Sequence, residues 1–168
     1  MRVIHVVDKD FPPSPDDGGA PQLVASLAKA QRQSGNDVLV VTSGSAEGSD
    51  VSHFDLSQLA ANQLLAMARR YGADVVHFHA FADTLQPAFS AHGIPTVCHV
   101  HGDHYGKQLG IDNAIYVSRA HAERHGGEVF VHNGLDLNEQ IFVSEPDDYL
   151  VFLGKVRRSK KGADTAVS

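Results

Sequence analysis

Eleven histidines in 168 residues dominate the chemistry this sequence could carry. Two pairs stand at i and i+2, His77 with His79 and His99 with His101, each inside a short apolar run. Residues two apart on a strand share a face, so each pair projects to one side. His79 and His101 then fall at the carboxyl ends of their strands, where open α/β sheets bind ligands. A histidine there can hydrogen-bond a hydroxyl or a developing charge, or join others around a metal. His101, followed by Gly102 and a polar loop, is the expected reactive member, whereas His5, His77 and His99 are expected to be satisfied core residues.

Two further constellations could hold an anion. Asp16-Asp17-Gly18-Gly19 precedes a predicted helix, and paired glycines there let backbone N–H groups approach a negative group that the helix dipole favours. A turn that binds nothing is the alternative, since the spacing is not GxGxxG, and the two aspartates suit hydroxyls better than anions. The run Gly154-Lys155-Val156-Arg157-Arg158-Ser159-Lys160-Lys161-Gly162 follows an apolar segment. Its lysines are compact charges able to face a diphosphate, or else form a solvated basic loop.

His99-Val100-His101-Gly102-Asp103-His104 also matches HxHxDH. In that respect it resembles the metallo-β-lactamase-fold hydrolases, in which such residues hold zinc and generate a hydroxide nucleophile. This alternative makes His99, His101, Asp103 and His104 metal ligands. It conflicts with the order of predicted elements, because that fold packs two largely antiparallel sheets.

The elements that must position these residues alternate. A β-branched strand at Arg2–Val7 is followed by a Pro-rich polar loop. A helix then carries Ala20, Leu23, Val24, Leu27 and Ala28 on one face and stops at Gly35. Asp37–Thr42 is a strand, 43–52 a Gly/Ser-rich loop, and Asp55 with Gln58 a capping box for a helix ending at Gly72. Strands at 73–79 and 94–101 flank a helix over 84–92. Another strand at 113–117 leads to a helix capped by Ser118, and 128–132 is a last strand before Asn133-Gly134. Strands separated by single helices predict an α/β fold with a doubly wound, mostly parallel, Rossmann-like sheet. The expected organisation is a domain over 1–138, a linker over 139–148, and over 149–168 the opening strand (149–153) and helix start of an incomplete second domain.

Composition narrows the class. Fourteen Lys and Arg against twenty Asp and Glu leave a net charge of −6, which argues against nucleic acid as a partner. No apolar run approaches the ~18 residues of a membrane span, and no signal-peptide pattern opens the chain, so a cytoplasmic protein without a transmembrane segment is expected. The single cysteine, Cys98, excludes an internal disulfide framework and is expected to be inert.

In order, the motifs resemble the amino-terminal half of a family-4, retaining glycosyltransferase of the GT-B fold. Gly18-Gly19 with Ala25-Ser26-Leu27-Ala28 is similar to the family's GGxxxxxxxLAxxL opening, and Gly35-Asn36-Asp37-Val38 to its G-H-x-V. Asp74 to His79 resembles DVVHxH, Val100-His101-Gly102 the strand-end histidine segment, and Val117-Ser118-Arg119 the VS segment. Val131 to Asp136 resembles (I/V)xNGxD, and Phe152 to Lys155 with Lys161-Gly162 the FxGR…KG segment. The resemblance implies a nucleotide-sugar donor, an acceptor and no cofactor. His101 would line the reaction centre, Gly18, Gly19, Lys155 and Lys161 would bind the donor phosphate or sugar, and Asp16, His79, Asp103 and Tyr105 would shape the acceptor pocket. Lys155 departs from the family's usual arginine, and the basic segment is one residue longer, so Lys160 competes with Lys161. The family's donor-binding domain is not in the chain, so no turnover is expected from it alone, and the apolar segment 149–153 is expected to mediate self-association. A noncatalytic sugar- or nucleotide-binding module is the blander alternative.

Overall fold

The computed structural model describes residues 1–48, 51–53, 60–103, 109–139, 141–145, 147–152 and 162–166. The chain divides into two compact units, Met1–Asp136 and Leu137–Ser168.

In the first unit, six strands form one sheet: β1 (Arg2–Val7), β2 (Asp37–Thr42), β3 (Val51–His53), β4 (Val75–Phe78), β5 (Thr96–Val100) and β6 (Ala114–Tyr116). Their order is β3-β2-β1-β4-β5-β6, and every pairing is parallel. Four helices connect or follow them: α1 (Gly19–Gln33), α2 (Ala60–Tyr71), α3 (Ala82–Ala91) and α4 (Arg119–Arg124). This is the doubly wound α/β arrangement expected from the alternation. The strand order reverses between β1 and β4, which opens a crevice at their carboxyl ends.

The β-branched runs are continuous because both sheet faces are covered. On one face Val3, Val38 and Val40 pack against Val24 and Ala28 of α1. On the other, Ile4, Val6, Val41, Val76 and Phe78 meet Leu64 and Leu65 of α2 and Leu85 and Phe89 of α3. Helix stops follow the expected chemistry, with Gly35, Gly72 and Gly93 all at positive φ, the left-handed conformation glycine adopts without a Cβ penalty. The Ser118 hydroxyl accepts the His121 N–H at 3.1 Å, capping α4.

Three segments differ from the sequence reading. Val51–His53, whose first two residues close the segment read as loop, is an edge strand in register with Val40–Thr42; backbone pairing overrides a polar composition where a neighbouring strand offers a free ladder. Within 128–132 only a bridge forms, Phe130 to Tyr116, through Tyr116 N–H to Val129 O (3.0 Å) and Val131 N–H to Tyr116 O (2.8 Å). Tyr149–Phe152 is not a strand: its backbone has no ladder partner among the described residues, and Leu150 is 101% exposed. Among its described residues the second unit contains a 3-10 turn at Leu137–Glu139 and, where a helix start is expected, a short helix, α5, at Ala163–Ala166. The expected capping box at Asp55 and Gln58 lies outside the described residues.

Candidate functional site

The histidine pairs converge. His5 is in register with His77 across β1 and β4, which places both on one sheet face. His79 and His101 follow directly at the ends of β4 and β5 on that same face by the period of two. The result is a contiguous field of five imidazoles. Ring centroids lie 5.1 Å apart for His5–His77, 4.1 Å for His77–His79, 5.2 Å for His79–His101 and 4.3 Å for His99–His101.

Hydrogen bonds thread three of them. Gln31 Oε1 lies 2.7 Å from His5 Nε2, His5 Nδ1 lies 2.9 Å from His79 Nε2, and His79 Nδ1 lies 2.9 Å from His101 Nε2. His5 is thus the satisfied core histidine that the sequence suggested. His77 and His99 are not: both are half-buried, and the Nε2 of each is buried without a hydrogen-bond partner among the described residues. The reason is placement, since α1 packs on β1 and β2 while these two rings stand on β4 and β5.

The field is electrically neutral near pH 7. Burial, and then repulsion among the neighbouring imidazoles, lowers His77 to about 3, and burial lowers His101 to about 4. His5 falls to about 4 through burial, although its Gln31 hydrogen bond opposes the shift. Burial also lowers His79 and His99. At neutral pH each ring therefore carries one N–H donor and one bare acceptor. Burial pushes the Cys98 thiol up to about 12, in keeping with an inert side chain.

Two hollows flank His79 and His101. One of about 250 Å³ lies at the ends of β4 and β5, walled by Phe78, Phe81, Val100 and Ile111 beside the two histidines. Phe81, which opens α3, holds a left-handed φ of 59°, a costly conformation for a bulky residue and one that recurs at ligand sites. The other hollow sits at the strand-order reversal, between the histidines, Asp8–Phe11 and Ala20, Pro21 and Val24 of α1. Its wall is pinned: Phe11 N–H donates to Ser45 O (2.9 Å) and Glu47 N–H to Phe11 O (2.9 Å), while Asp10 Oδ1 accepts from Ser45 N–H (2.7 Å).

Gly18 and Gly19 begin α1 beside that second hollow. Gly18, the N-cap, has no side chain with which to cap the helix, and a Cβ at either glycine would meet nothing within 4 Å, so open space lies around the helix start. Its first N–H groups have no intrahelical acceptor. The structure thus brings together His79, His101 and the start of α1. It does not bring Asp103 to them. That carboxylate pairs with Arg124, 3.0 Å from Nη2 and 3.1 Å from Nε, and is grouped with His121 and His125. Asp16 lines neither hollow. His104, Tyr105, Lys155, Lys160 and Lys161 lie outside the described residues. The HxHxDH ligand set is not assembled among the described residues either; His99 and His101 group with His79 instead.

Sequence reasoning missed Gln31 and the Asp8–Phe11 wall. A signal for Gln31 exists: it continues the stripe Val24, Ala28 at i+7, placing one amide on a buried apolar helix face.

The parallel, doubly wound fold agrees with comparison to known proteins. Residues 17–139 match the model of Glycosyltransferase Family 4, and the chain belongs to that family. Its structure is similar to the crystal structure of a glycosyltransferase from Rickettsia africae ESF-5, with a TM-score of 0.55 and 15% sequence identity, covering 82% of this chain and 44% of that one. The chain therefore spans less than half the length of that glycosyltransferase. No curated protein matches the chain. Among the described residues, no helix is long and apolar enough to cross a membrane.

Proposed function

We propose that this chain is the acceptor-binding half of a GT-B glycosyltransferase that transfers a sugar from a nucleotide-sugar with retention of configuration. The observation that carries this reading is the meeting of His79 and His101 with the start of α1 at the strand-order reversal, in a chain of this family. In the proposed reaction an acceptor oxygen forms a bond to the anomeric carbon on the face from which the nucleoside diphosphate departs. The diphosphate leaves with the bonding electron pair and takes up the acceptor proton.

Neutral His101 suits contact with a hydroxyl of the transferred sugar, because its Nε2 is engaged by His79 and an uncharged ring leaves its other nitrogen for the hydroxyl. The helix start at Gly18 and Gly19 suits the donor phosphate or sugar, and Lys155 and Lys161 suit the diphosphate, whose developing charge is the main electrostatic task. Asp16, Asp103 and Tyr105 remain proposed acceptor contacts. The reading includes a separate donor-binding domain, without which no turnover is expected, and no resident cofactor. It also places the protein in the cytoplasm, where Cys98 stays reduced, and lets the exposed apolar segment 149–152 support self-association, which light scattering across concentrations tests.

The site is tested by titrating the uniformly 15N-labelled chain with a panel of nucleotide-sugars and simple glycosides. Shifts clustered at His79, His101 and the Gly18–Gly19 amides, and lost in His101→Ala, are expected. Shifts confined to His121 and His125 would overturn the assignment.

A further inference from the structure

The three hydrogen bonds that join Gln31 to His101 have a direction. A Gln31 Oε1 atom can only accept, so His5 must donate from Nε2–H. Neutral His5 then has a bare Nδ1, and His79 must donate to it from Nε2–H. Neutral His79 in turn has a bare Nδ1, and His101 must donate to that from Nε2–H. What remains on His101 is an unprotonated Nδ1. Had the amide nitrogen of Gln31 faced His5, each bond would run the other way and His101 would carry its proton on Nδ1.

We propose that Gln31 is a positioning residue: through His5 and His79 its amide oxygen fixes the tautomer of His101, so that the ring presents Nδ1 as a hydrogen-bond acceptor. Gln31 touches no reacting group and acts only through the relay. Its place at the far end of α1 from Gly19 means that one helix supplies both the open helix start beside the site and the residue that orients the site's histidine. His5, completely buried, holds the relay rigid, and stacking of His99 on His101, with 20° between ring planes, fixes the last ring.

The neutral state that the relay requires follows from burial in the same field. A ligand group that meets this Nδ1 must have a hydrogen to give, a hydroxyl rather than a carbonyl or phosphate oxygen. That the hydroxyl belongs to a sugar rests on the function proposed above, and the tautomer does not.

The test is long-range 1H–15N correlation of the imidazole nitrogens in the 15N-labelled chain at neutral pH, with couplings across the His5–His79 and His79–His101 hydrogen bonds. Protons on Nε2 of His5, His79 and His101 are expected, and a proton on Nδ1 of any of the three overturns the proposal. Gln31→Glu, which also only accepts, should leave all three unchanged. Gln31→Lys, which only donates, should move the His101 proton from Nε2 to Nδ1. A folded Gln31→Lys protein with His101 still protonated on Nε2 overturns the relay even if the wild-type pattern is as expected. If Gln31→Lys does not fold, the wild-type protonation pattern decides. Addition of simple glycosides separates the two readings: correct tautomers with no ligand shift at His101 keep the relay and remove the sugar site.

Discussion

His79 Nδ1 lies 2.9 Å from His101 Nε2, although the two residues belong to different strand ends 22 positions apart. The contact needs one bare and one protonated nitrogen, so it survives only while at least one of the pair is uncharged. Burial secures that condition, and it makes the site's integrity a function of pH.

Stability should fall on acidification through the titration of these rings. The folded values of His5 and His101 are about 4 and that of His77 about 3, all below the ordinary 6.5. Between about 6.5 and 4 the unfolded chain binds protons that the folded chain refuses, so stability present above pH 6.5 is lost as pH falls toward 4. For completely buried His5 alone the shift corresponds to roughly 3 kcal/mol. Urea midpoints measured from pH 7.5 to pH 4 should decline, with a shallower slope in His5→Gln, which cannot titrate. Parallel slopes would refute the account.

Gly44→Ala should loosen the wall of the hollow beside α1. A Cβ there would lie 2.5 Å from the Asp10 backbone nitrogen, and a backbone atom held by the neighbouring loop bonds has little room to give. A loss of about 1–3 kcal/mol is expected from overpacking, together with faster amide exchange at Phe11 and Glu47. Unchanged exchange at both positions counts against a pinned wall.

Ser118→Ala removes the hydroxyl that accepts the His121 N–H. Because α4 is only six residues long, the missing cap should cost about 1 kcal/mol and raise exchange at His121 selectively. Ser118→Asp, which restores an acceptor, should recover most of it; chemical denaturation of the three proteins settles the order.

Zinc should not bind stoichiometrically at the HxHxDH segment. The Asp103 carboxylate pairs with Arg124 and His101 Nε2 is engaged by His79, so two of the segment's four groups already have other partners. Plasma mass spectrometry on chain purified without an immobilised-metal column should find well under one zinc per molecule. Two zinc ions per chain would revive the hydrolase alternative.

The sequence by itself determined the α/β alternation, the helix stops at Gly35, Gly72 and Gly93, the Ser118 cap and the placement of His79 and His101 at strand ends. These are local matters, set by periodicity and by backbone conformations that only certain residues adopt without cost. Strand order and register decided the rest. Nothing in the spacing of His5, Gln31, His79 and His101 announces a chain of hydrogen bonds; it exists because β1 lies between β2 and β4 and α1 folds back over it. The edge strand at Val51–His53 and the bridge at Phe130 were likewise tertiary decisions, since short segments pair only where a neighbour presents an open ladder. The separation of Asp103 from His99 and His101 was decided the same way. Four residues of HxHxDH are adjacent in sequence, yet the strand ends at Val100, and past that point the carboxylate follows Arg124 rather than the face its histidines share.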